Sequence, residues 1–163
     1  MRQFPQNFAV LALLLVAATS CGYIMGYEGR PGGIRTVHVG VVGNDTFRQR
    51  LERDLTKAIT VKLSEYSGYR HASKDRADAI LKVTIVGVRN TTLVLGAPIQ
   101  EGSVDAVAKI QLIERRTGRI LVERRLRDIA EYRTMIGEDG TSAHAELVSD
   151  LGRRIVLALE TGF

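Results

Sequence analysis

The sequence predicts an α+β two-layer sandwich in the order β-α-β-β-β-α, with a mixed four-stranded sheet and both helices on one face. Two observations carry that prediction. Four stretches, Thr36–Val42, 79–88, Ser103–Ile113 and Ile120–Tyr132, alternate residue types at the period of a strand. Two others, Thr46–Ser67 and Ser142–Gly162, repeat apolar residues every three or four positions, the period of an amphipathic helix. The bulk numbers fit one such domain. With 163 residues, 45% of them hydrophobic and 25% charged, the chain is too short for two ordinary cores and too apolar to stay disordered.

An address and a tether precede these elements. Arg2 gives a positive start, and Phe8–Ala18 then runs eleven residues without a charge. That is too short for a membrane span, which needs about 20 apolar residues, and has the length of a signal-peptide core. Ala18-Thr19-Ser20 leads to Cys21, the only cysteine. This resembles the lipobox of bacterial lipoprotein precursors, which implies diacylation of Cys21, attachment of palmitate-type chains and removal of residues 1–20. An ordinary secretory signal with an incidental cysteine is the alternative. By resemblance to enterobacterial sorting rules, Gly22 where aspartate would retain the protein in the inner membrane points to the outer membrane. Residues 21–34, with glycines at 22, 26, 29, 32 and 33, form a tether. Residues 35–163 are then the single domain. Loss of Arg2 leaves 22 basic side chains against 18 acidic ones, an excess that suits an anionic partner.

Within the domain, Thr36–Val42 is the first strand, with Val37, Val39 and Val41 on one face and His38 and Val42 on the other. Asn44 or Asp45 is placed to cap the helix that follows. Its apolar face is Phe47, Leu51, Leu55, Ala58, Ile59, Leu63 and Tyr66, and Gly68 stops it. Tyr69–Ala72 reads as a short extended piece. In the second strand Leu81, Val83 and Ile85 oppose Ile80, Lys82, Thr84 and Val86. In the third, Val104, Ala106, Ala108, Ile110 and Leu112 face inward, with Asp105, Lys109 and Gln111 outward. Arg116-Thr117-Gly118-Arg119 reverses the chain, and Ile120–Tyr132 returns as the fourth strand, completing an antiparallel meander. Ser142 caps a last helix whose apolar face includes His144, Leu147, Val148, Leu151, Ile155, Ala158 and Leu159.

Little in the sequence speaks for catalysis. A single cysteine excludes a disulfide framework and a multi-thiolate metal site. His38, His71 and His144 stand on different elements without ligand spacing, and the glycines match neither the P-loop nor the dinucleotide fingerprint. The sequence therefore predicts no enzyme, no metal and no cofactor. Charge is more telling: Arg115, Arg116, Arg119, Arg124, Arg125, Arg127 and Arg133 fall within nineteen residues. Either they solvate a sheet face and guard it against aggregation, or their forks hold phosphates or carboxylates of an anionic lipid. Arg125 and Arg127 share a face, opposite Arg124. Nucleic acid is disfavoured, since these strands lack stacking aromatics.

Cys21-Gly22-Tyr23, the glycine-rich tether, 34–46 (IRTVHVGVVGNDT), the long amphipathic helix and 77–85 (ADAILKVTI) together resemble the lipopolysaccharide-assembly outer-membrane lipoproteins. The resemblance covers essentially the whole mature chain. It implies two helices on a four-stranded sheet, a place as plug within the lipopolysaccharide translocon barrel, help in that barrel's assembly, and binding of lipopolysaccharide. The turn at about Thr92–Gly102 matches a region where that family uses a basic residue for glycolipid. Here the turn has no lysine or arginine; Arg89 precedes it and Lys109 follows. It offers Leu93, Val94, Leu95, Pro98 and Ile99 instead, an apolar tip suited to acyl chains or the barrel wall. The anion-binding candidates are thus Arg89, Arg124, Arg125 and Arg127. The competing reading is a tethered periplasmic lipoprotein of another envelope machine, a secretion pore or an activator of cell-wall synthases. A lipid-anchored hydrolase is a third class.

Overall fold

The computed structural model describes residues 31–47, 50–93 and 101–160. The expected signal peptide, the expected lipidation site Cys21, Gly22 and most of the expected tether lie outside the described residues. The elements are β1 (Thr36–Val39), β2 (Gly43–Asn44), α1 (Leu51–Tyr66), β3 (Arg70–His71), β4 (Ala79–Leu93), β5 (Glu101–Glu114), β6 (Ile120–Arg133) and α2 (Gly140–Glu160). Short 3-10 turns occupy Pro31–Gly33 and Thr134–Ile136. The sheet runs β3-β1-β4-β5-β6, with β2 also paired to β4. It is mixed, as expected: β1 lies parallel to β3 and β4, and β4, β5 and β6 are antiparallel. A parallel β1–β4 pair needs a crossover, and α1 supplies it.

The sheet has six strands where the sequence predicts four. The first expected strand splits in two, and the extended piece after α1 joins the sheet as β3. The split has a local cause. Val39 pairs with Leu81 and Gly43 with Thr84, so four residues on one side match three on the other and the chain must bulge. The Gly40 amide donates to the Leu81 carbonyl at 3.0 Å, an approach at which a Cβ would stand 3.3 Å from that oxygen. The Val42 amide leaves the sheet and donates to Thr56 Oγ1 on α1 at 3.1 Å. The bulge reverses the faces beyond it: Val41, expected on the face of Val37 and Val39, is 84% exposed, and Val42, expected opposite them, is buried with them.

The core lies between one sheet face and the two helices. Val37, Val39, Leu81, Val83, Ile85 and the even-numbered residues of β5 from Val104 to Leu112 meet Leu51, Leu55, Ile59 and Leu63 of α1 and Leu147, Leu151, Ile155 and Leu159 of α2. Each buried valine, leucine or isoleucine among them contributes about 1.5–3 kcal/mol by leaving water. The helices touch where small residues allow it: a Cβ on Gly152 would sit 3.1 Å from Ala58 Cβ. At the far end of the sheet the Tyr132 ring lies over Gly102, in space a side chain at 102 would need.

Both helix starts differ from expectation. Helix α1 begins at Leu51, after Arg50 in a left-handed conformation (φ 76°) without a side-chain cap. Phe47 therefore precedes the helix and is fully exposed. Asn44 folds back locally instead of capping: its Oδ1 accepts from the Thr46 amide at 2.9 Å, and its Nδ2 donates to Glu52 at 2.9 Å. At α2 the cap is Asp139, not Ser142. Its Oδ1 accepts from the amides of Thr141 and Ser142, each at 2.9 Å, and Ser142 Oγ accepts from the Asp139 amide at 3.1 Å. Those amide bonds hold the Asp139 carboxyl below its ordinary range. His144 is only partly buried, and Ala143 takes its expected place inside.

Asp78 ties the entry of β1 to the entry of β4. One of its carboxylate oxygens accepts from the Arg35 amide at 3.0 Å, the Thr36 amide at 2.9 Å and Thr36 Oγ1 at 2.8 Å. The Arg35 amide, then Thr36, hold this carboxyl below its usual range. A lowered folded-state value means the clamp stabilises fully above the unfolded carboxylate range and loses that contribution as pH falls through the folded value. Asp78→Ala is expected to lower stability by about 1 kcal/mol at pH 7, the site being solvent-screened. Urea denaturation of both proteins checks this, and the gap must close in acid.

Candidate functional site

The face of the sheet away from the helices carries the charge. Pairing across β4, β5 and β6 sets it in rows: Lys82–Gln111–Glu123, Thr84–Lys109–Arg125, Gly87–Val107–Arg127 and Arg89–Asp105–Ile129. Arg89 reaches this face only because β4 bulges between Ile85 and Gly87. Leu81, Val83 and Ile85 are odd-numbered and buried, so without the extra residue Arg89 would point at the core. The Val86-Gly87 pair inside the alternation is the sequence signal for that bulge. Beside it, Gly87, Val88, Arg89, Asp105 and Val107 line a groove of about 140 Å³.

Within the rows, ion pairs divide the cations into engaged and available groups. Arg127 Nε donates to both Asp105 carboxylate oxygens at 3.0 Å, which raises the pKa of its guanidinium. Lys109 Nζ stands 2.7 Å from Glu123 Oε1, and this contact lowers the Glu123 carboxyl. Arg133 lies 3.5 Å from Glu101. Arg89, Arg125 and Lys82 are exposed and without an ion pair among the described residues. The expected arginine cluster is thus divided by the pleat. Arg124 is partly buried on the helix side, Arg115 Nε donates to the Ala77 carbonyl at 2.7 Å, and Arg119 lies 3.8 Å from Glu114.

Leu93 ends β4, its backbone paired with Glu101, while Val94, Leu95, Pro98 and Ile99 lie outside the described residues. His38 and His71, on separate elements in the sequence, come together with ring centroids 6.1 Å apart, and His38 Nδ1 is 3.1 Å from the Ala72 carbonyl. Among the described residues no three His, Cys, Asp or Glu side chains gather as a metal site. Sequence reasoning missed Asp128. It is 7% exposed beneath α2, with Arg154 Nε 3.3 Å from Oδ1 and no hydrogen-bond partner at Oδ2 among the described residues.

The two-layer fold and its charged open face are accompanied by a family match. Residues 34–159 fit the model of the lipopolysaccharide-assembly family LptE. The chain belongs to that family. The match spans every strand and helix from β1 to α2, and it places this LptE-family chain among envelope lipoproteins concerned with lipopolysaccharide assembly. A search of curated proteins finds no match. Solved structures share the fold at low identity. The hypothetical protein CT253 from Chlamydia trachomatis is 13% identical with a TM-score of 0.59, covering 77% of this chain and 95% of its own. Protein XCC0632 from Xanthomonas campestris is 13% identical with a TM-score of 0.55, covering 76% and 81%. A minor lipoprotein from Acinetobacter baumannii is 14% identical with a TM-score of 0.50, covering 77% and 92%.

The Arg127–Asp105 pair is exposed on the arginine side. A double-mutant cycle with Arg127→Gln and Asp105→Asn, read by chemical denaturation, is expected to return a small favourable coupling that shrinks in high salt.

Proposed function

We propose that this LptE-family chain is an outer-membrane lipoprotein, held on the periplasmic side through lipidated Cys21, that helps assemble the lipopolysaccharide translocon barrel and plugs it. The family match over residues 34–159 is the observation that carries this reading. Its work is binding and scaffolding, and no catalytic step is assigned to any residue. Residues 1–20 serve as the cleaved signal, 21–34 as the tether and 35–163 as the domain. Several acyl chains on one cysteine give a lasting anchor, each buried methylene contributing about 0.8 kcal/mol. The tip around Leu93, Val94, Leu95, Pro98 and Ile99 is assigned to the barrel wall or to acyl chains.

For lipopolysaccharide itself, the geometry favours Arg89 and Arg125 over the other two arginines. Their guanidinium groups have no ion pair among the described residues, whereas Arg127 already holds Asp105 and Arg124 lies on the helix side. A phosphate meeting Arg89 or Arg125 displaces no ion pair found among those residues.

Three measurements check the reading. Affinity isolation of the full chain from detergent-solubilised envelopes is expected to bring down a large β-barrel protein. Cys21→Ser is expected to abolish fatty-acid labelling and release the chain from the membrane fraction. Recovery without any barrel, in cells whose translocon assembles normally when the chain is deleted, defeats the proposal. In a flotation assay with lipopolysaccharide-containing vesicles, Arg89→Gln with Arg125→Gln is expected to weaken binding about tenfold and flatten its salt dependence. Arg127→Gln alone is expected to change binding less than threefold.

A further inference from the structure

Strand β6 closes the sheet on one side, and its outer edge is long and largely open. The outward backbone groups are identified by what they meet. The Arg133 amide donates to Glu138 Oε2 at 2.9 Å, its carbonyl accepts from the Glu138 amide at 3.2 Å, and the Arg127 carbonyl accepts from Arg154 at 3.5 Å. Backbone groups alternate along an antiparallel strand, so Glu123, Arg125, Ile129 and Glu131 also point theirs outward. Among the described residues nothing bonds to those four on that side. Glu138 blocks the edge at Arg133 only. An open edge is a template for another strand.

We propose that β6 pairs antiparallel with β6 of a second copy, in the register that places Leu126 opposite Leu126, joining two sheets into one. Asp128 selects this register. It is buried, and its Oδ2 has no hydrogen-bond partner among the described residues. A two-fold axis at Leu126 sets Arg124 of each copy opposite Asp128 of the other, with Val122 opposite Ala130. These residues share the helix-side face and form non-hydrogen-bonded pairs, the closer kind. Shifting the axis to Arg127 sets Asp128 against Leu126 and Arg127 against itself. Shifting it to Asp128 brings two buried carboxylates together and requires the Arg133 edge groups that Glu138 holds. The Leu126 register has one kind of unfavourable opposition, Arg125 against Arg127, which the two-fold axis repeats. It lies on the wet face, where Asp105 already neutralises Arg127 and salt screens the remainder. The weak Arg154 contact to the Arg127 carbonyl yields to the ladder. The pairing is independent of the barrel reading and concerns copies that meet at the membrane.

Non-hydrogen-bonded positions bring Cα atoms to about 4.5 Å, within disulfide range. In the full lipidated chain in detergent, Leu126→Cys is expected to form a covalent dimer under mild oxidation, and Arg127→Cys is expected to form at least tenfold less. Light scattering is expected to show a dimer that Arg124→Glu weakens at least tenfold. Ile129→Pro removes one outward amide while leaving the β5 ladder intact, and is expected to give a folded monomer by circular dichroism and light scattering. A monomer at all concentrations, preferential cross-linking at Arg127, or a folded Ile129→Pro protein that still dimerises would overturn the proposal.

Discussion

Burial of one sheet face under α1 and α2 governs the rest of the molecule. Along β5, Val104, Ala106, Ala108, Ile110 and Leu112 all turn inward. The strand lies between β4 and β6, so its phase is imposed on both through the ladder. A one-residue slip would turn this whole apolar set toward water. Once the inner face is committed, every odd-numbered side chain of β5 has to be tolerated outside. The charged rows on the open face are therefore a consequence of the core as much as a surface device. Their ion pairs, Arg127 with Asp105 and Lys109 with Glu123, each contribute little to stability. They do decide which cations remain available.

Bulges then redirect the pattern at chosen points. The one between Ile85 and Gly87 brings Arg89 outside. The one after Gly40 puts Val42 against α1 and Val41 in solvent. In both places a glycine stands next to the irregularity and a valine changes face. The sheet keeps its apolar layer closed while aiming particular side chains away from it.

This explains what could and could not be read from the sequence. Uniform alternation made β5 legible in full, and 3.6-residue spacing made the Leu51–Leu63 face of α1 legible. Both patterns are enforced by burial over many residues. Single-residue events were not legible. The register shift at Gly40 divided one expected strand into two, and the two-residue β3 was too short to show a period. Arg50 in the left-handed region delayed α1 and left Phe47 outside it. The alternation of β6 did separate Arg124 from Arg125 and Arg127, but which of them an acid on β5 would engage, as Asp105 engages Arg127, was not legible. Asp128 gave no sign at all, because its burial depends on where α2 docks. The strand count of six follows from these local events and leaves the two-layer architecture intact.

Tyr132, lying over Gly102, has a consequence for how the molecule can be observed. The chain has no tryptophan, so its ultraviolet emission comes from tyrosine. Tyr69 is buried at the opposite end of the domain, its hydroxyl donating to the Leu159 carbonyl at 3.3 Å. Tyr132 instead reports on the distal β5–β6 ladder. Two native chromophores thus stand at the two ends of the sheet. A phenylalanine substitution at either one subtracts the signal of that end from the emission of the chain's five tyrosines, without a foreign label.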